Sequence, residues 1–181
     1  MHCWKAYHVN RKHLFFRRFF ISFLVSLFVF IAGYLTLHAV SAQTFDDDYF
    51  LVFLCSLILL YPVHKLCHIL PIVTYYKYMK WEFDRHFYIL PVIHLQFGCP
   101  IPKAQFGTAL VFPFIILNAI FITGVAIYPQ FGHYFTILLS YHNGLSVFDL
   151  LLFKSLLLSP KHALVEENED GYEILVENDI I

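Results

Sequence analysis

Apolar positions fall into four long runs along the chain, and polar positions gather between them. The first run spans 19–40 and carries no charge. The second spans 49–76, with Lys65 as its one formal charge. The third spans 106–128 and is uncharged. The fourth spans 134–159 and contains Asp149 and Lys154. Each reaches the roughly 20 mostly apolar residues that a bilayer crossing requires. Gly33, Pro113 and Gly124 lie inside these runs, as membrane helices tolerate. The first run is too long for a signal-peptide core, and Ala39-Val40-Ser41-Ala42 is a weak cleavage sequence, so it reads as a retained helix. The pattern predicts an all-α membrane protein: a basic N-terminal tail over 1–18, a four-helix transmembrane domain over 19–159 and an acidic C-terminal tail over 160–181.

The polar intervals differ in character. Residues 80–103 are too many for a turn. "FYILPVIHLQFG" is rich in β-branched and aromatic residues and then breaks at Gly98-Cys99-Pro100. It reads as a short β-like segment at the inner surface, one or two strands or a re-entrant stretch. In "ALVEENEDGYEILVENDII" an Asp-Gly pair separates two short apolar-containing runs, a pattern shared by a small hairpin and by disorder. The segment "WKAYHVNRKHLFFRR" mixes basic and aromatic residues and reads as an anchor on anionic lipid. It is too short and too near a membrane helix for nucleic-acid binding, and no nucleic-acid partner is expected.

Composition supports the bilayer assignment. The 181 residues are 59% hydrophobic and only 14% charged, with 21 Phe and 12 Tyr. Soluble domains carry about 25% charged residues. The net charge of −1 excludes little, but the placement of charge is informative. Lys5, Arg11, Lys12, Arg17 and Arg18 precede the first run. Lys77, Lys80, Arg85 and Lys103 lie around the second connection, and Lys161 follows the fourth run. The other two connections hold no Lys or Arg, and one carries Asp46, Asp47 and Asp48. Positive residues mark the cytoplasmic side, so both termini are expected there. Cys3 and Cys99 fall on that side, and Cys55 and Cys67 within the second run, so no structural disulfide is expected.

Candidate chemistry centres on "YPVHKLCHILPI". His64 and His68, four residues apart, share one helical face, the geometry used by the zinc-peptidase pattern H-E-x-x-H. Asp149 lies fifteen residues into the fourth run and His64 fifteen into the second. At 1.5 Å per residue both sit ~22 Å from the outer face. An ionisable group at that depth needs a partner. Two His and one carboxylate form a familiar ligand set for catalytic zinc.

The residues "HKLCH" at 64–68, "PIPKAQFGTALVFPFIILN" at 100–118 and "NGLSVFDLLLFKSLLLSPKHALVEENEDGYEI" at 143–174 resemble the small bacterial membrane proteins known as putative zincin peptidases, related to site-2-protease-like enzymes. The resemblance implies a four-helix membrane bundle with a zincin-like core in the bacterial cell membrane. It also implies zinc as cofactor, His64, His68 and Asp149 as metal ligands, and a membrane peptide or protein as client. One departure bears on catalysis. Lys65 stands where the family pattern has the glutamate general base. A unit charge ~6 Å from a divalent ion is repelled by ~5 kcal/mol at an effective dielectric of about 20. Three readings of Lys65 follow. The metal stays and the protein is a non-hydrolytic binder or regulator. Lys65 pairs with Asp149 in place of the metal, leaving a structural or transporter-accessory protein. Or Lys65 snorkels to the surface and another base supports an active peptidase.

Overall fold

The computed structural model describes residues 2–8, 12–40, 44–84, 92–97, 99–168 and 171–176. Four helices follow the four apolar runs: α1 Lys12–Val40, α2 Phe50–Ile69, α3 Lys103–Ile127 and α4 Gly132–Leu157. A 3-10 segment, Leu70–Tyr78, prolongs α2 and bends at Ile72, just after Pro71. The spans Phe16–Val40, Phe50–Tyr75, Lys103–Ile127 and Pro129–Leu157 are long and apolar enough to cross a membrane. α1 begins well before the apolar run at residue 19, because Lys12, Arg17 and Arg18 form its first turns.

The ends of the chain differ from expectation. Within the N-terminal tail, His2–His8 is a strand, β1. It pairs antiparallel with β6, Gly171–Val176, which forms a hairpin with β5, Leu164–Asn168. β5 in turn pairs with β4, Ile101–Pro102. The two regions expected as separate tails therefore join one four-stranded sheet of order β1-β6-β5-β4. Lys5 of β1 lies opposite Ile174, and the next residue, Ala6, opposite Glu173 of β6, a proximity that appears only once the strands are adjacent. The hairpin alternative for the acidic segment is the one adopted, and Gly171 opens β6 at φ 144°, a backbone region that favours glycine. The β-like segment between α2 and α3 is a second hairpin, β2 Met79–Asp84 with β3 Val92–Phe97. Residues 85–91, part of that expectation, lie outside the described set.

The sheet gathers at one end the segment before α1, the entry to α3 and the segment after α4. At the opposite end the Asp46 amide donates to the Gln130 carbonyl at 3.1 Å, tying the other two connections together. α4 packs against α1 and α3, and α2 against α3 and α4. Two apolar clusters fill the interior. Ile72, Ile101, Phe106, Leu110, Leu156, Val165 and Ile174 join the bundle to the sheet. Leu60, Leu117, Phe121 and Leu138 pack nearer the other end. On both α2 and α4 the stretch between these clusters holds the polar residues of the candidate site.

Candidate metal centre

On α2, His64 and His68 lie one turn apart and face inward. His64 is buried and His68 is 13% exposed at its side chain. Asp149 comes from α4 and is 15% exposed. Its Oδ2 lies 3.0 Å from His64 Nε2 and 3.5 Å from His68 Nε2, and the two Nε2 atoms are 3.2 Å apart. The three residues whose convergence was expected from depth thus meet at one point. Among the described residues Asp149 Oδ2 has these two histidine nitrogens within 4 Å. Lys65 forms no ion pair with it, so Asp149 finds its partners without the lysine.

Each histidine is held from behind. His68 Nδ1 is 2.8 Å from the Ala109 carbonyl of α3. A carbonyl only accepts, so Nδ1 carries the proton and, in the neutral ring, the lone pair is on Nε2. His64 Nδ1 is 3.2 Å from Nε2 of His142, a fully buried residue of α4. The Nδ1 of His142 is 3.2 Å from Asn118 Oδ1 on α3. That oxygen also accepts from Asn143 Nδ2 at 3.0 Å, and Asn143 Nδ2 donates to the Leu139 carbonyl at 2.8 Å. The Leu139 carbonyl fixes the order of the whole chain. Asn143 presents its amide nitrogen, Asn118 its oxygen, His142 an Nδ1–H and hence a bare Nε2, and His64 donates its own Nδ1–H. The opposite tautomers would set two lone pairs face to face at Asn118. Ser146 Oγ gives its own proton to the His142 carbonyl at 2.9 Å and lies 3.4 Å from His142 Nε2.

With both rings neutral, each Nε2 carries a lone pair toward an acceptor-only carboxylate. Three lone-pair atoms then converge, an arrangement that suits a cation. Three ligands at 2.0–2.1 Å from a tetrahedral zinc lie about 3.3–3.4 Å apart. The observed edges of 3.0, 3.2 and 3.5 Å fit such an ion. The outward partners are of the kind that orient metal-bound histidines and raise their basicity.

Nothing in the sequence by itself separates a place in the cavity from bundle packing for His142 and Asn143. His142 precedes Asp149 by two helical turns, which puts both on one face, and that spacing was the available signal. Asn118 of α3 bonds to α4 through its contacts with His142 and Asn143. Cys67 packs against the Leu60 cluster.

The family described as putative zincin peptidase matches residues 57–164, from the middle of α2 to the start of β5, and so includes all three residues of the triangle. No curated protein and no solved structure matches the chain.

Proposed function

The chain belongs to the putative zincin peptidase family, and on that premise we propose that it is a zinc-binding intramembrane member that engages a membrane peptide or protein client without hydrolysing it. His64, His68 and Asp149 hold the metal. One observation carries the non-hydrolytic reading. The four spanning helices contain a single acidic side chain, Asp149, and it belongs to the converging triangle. No second carboxylate remains within the spans to take a proton from an attacking water. Lys65, beside His64 in sequence, has no such capacity while charged. His142 does not replace it, being fully buried with Nε2 turned to His64.

Zinc at this point supplies a Lewis acid that polarises a carbonyl. The protein's residues supply the rest. His64, His68 and Asp149, as two neutral imidazoles and one carboxylate, would hold the ion with net positive charge remaining. The Ala109 and His142 contacts hold both rings in place, and the apolar clusters on either side limit water. A peptide positioned here meets an electrophile but no base.

The family itself favours a second reading, an active peptidase. The two separate in an assay of zinc-loaded protein in liposomes with a membrane-spanning reporter peptide. Binding without cleavage above the metal-stripped control is the expected result. Zinc-dependent cleavage that disappears in Lys65→Ala would overturn it and make the lysine the working base.

A further inference from the structure

α3 runs from Lys103 to Ile127 through Pro113, whose side chain is fully buried. Proline has no backbone N–H, so the carbonyl four residues earlier loses its helical partner, and the ring tilts that carbonyl off the helix axis. Here the carbonyl is that of Ala109. In a bilayer core an unpaired backbone acceptor is costly, and a neighbouring helix must satisfy it. The Ala109 oxygen is the atom 2.8 Å from His68 Nδ1 on α2. The Nε2 of the same ring faces His64 Nε2 at 3.2 Å and Asp149 Oδ2 at 3.5 Å.

We propose that Pro113 is a positioning residue of the metal centre: the donor it lacks leaves the Ala109 carbonyl turned to His68, which is thereby held as the Nδ1–H tautomer with Nε2 toward His64 and Asp149. Any other residue at 113 presents an N–H to that carbonyl and draws it back along the α3 axis. His68 then loses the acceptor that selects its tautomer. The consequence for affinity rests on the zinc reading given above, whereas the consequence for the tautomer holds in metal-free protein.

The test uses full-length, metal-free protein with 15N-labelled histidine in detergent micelles. Three forms are compared: wild type, Pro113→Ala, and a chain with lactic acid at 113. Lactic acid matches alanine in shape but lacks the N–H. Nitrogen NMR should report a bare Nε2 on His68 in the wild type and the lactic acid form. Pro113→Ala should show mixed tautomers. Zinc titration should follow, with Pro113→Ala weaker by about tenfold or more and the lactic acid form close to wild type. A packing role for the proline ring would move both substituted forms alike, and that result overturns the proposal, as does a protonated Nε2 in the wild type. Should Pro113→Ala not fold, an α-hydroxy acid at 110 gives the second readout. It weakens the Ala109 carbonyl as an acceptor, and an unchanged His68 tautomer there would equally overturn the assignment. Tautomers as expected without zinc binding would support the Pro113 role and refute the metal reading instead.

Discussion

His142 makes the clearest case at the scale of single residues. It is fully buried between His64 and Asn118, and its Nε2 accepts the proton that fixes the His64 ring. His142→Ala leaves a buried N–H on His64 without a partner, at a cost of about 1–3 kcal/mol. Thermal melting of the metal-free protein should show that loss, and zinc titration should show affinity about 10–100-fold lower. A variant that melts lower yet binds zinc as tightly would mean that His142 only fills space. Lys65 permits the opposite experiment. Lys65→Glu removes a positive charge near the centre and should strengthen zinc binding. Because Lys65 forms no ion pair with Asp149, the metal-free variant should lose far less than the ~3–5 kcal/mol of a broken buried pair. A loss of that size would show that the two residues are paired in the membrane. At this scale the sequence revealed the triangle, because helical spacing and depth place His64, His68 and Asp149 in advance. It left His142 ambiguous, since a face shared with Asp149 does not say what that face meets. The Ala109 contact was still less legible, because a backbone carbonyl has no residue identity and only the position of Pro113 marks it.

At the scale of elements, the seam between α1 and α4 sets where Asp149 stands. A Cβ added at Gly144 would come within 3.1 Å of Ser26 Cβ and 3.2 Å of the Ser22 carbonyl oxygen. The second of these is backbone and has little freedom to yield. Gly144→Leu should therefore push the helices apart and destabilise the bundle by about 1–3 kcal/mol. Because His142 and Asp149 lie on the same helix, zinc affinity should fall with it. Melting and titration of the one variant test both effects, and an unchanged melting point would contradict the close seam. The four helices were legible because each apolar run spans a bilayer by itself. The strands were not, because each is short and gains its partner from a distant part of the chain. β1 and β6 lie at opposite ends of the described sequence, and no local pattern brings them together. Helix limits shifted for a related reason. Lys103 opens α3, and its Nζ donates to the Ser159 carbonyl at 2.5 Å and the Leu157 carbonyl at 3.3 Å beyond the end of α4. A charged residue thus begins a membrane helix by closing another, an economy that hydropathy does not register.

For the whole molecule, the sheet and the ends of the helices bring the described N- and C-terminal segments to one end of the bundle. We propose, from the positive-inside rule, that this end faces the cytoplasm. Reporter fusions at Gln43 and Gln130 should then read as external, and a cytoplasmic signal at either would reverse the orientation of the site. The central claim, however, concerns the point where α2 and α4 meet. It is tested most directly by the metal content and zinc-edge X-ray absorption of the purified protein, beside Asp149→Ala and His68→Ala. About one zinc per wild-type chain is expected, with nitrogen and oxygen neighbours at about 2.0–2.1 Å and no sulfur, and with the metal lost in both variants. Wild-type protein that takes up no zinc, or zinc that survives both substitutions, would contradict a metal centre built from His64, His68 and Asp149.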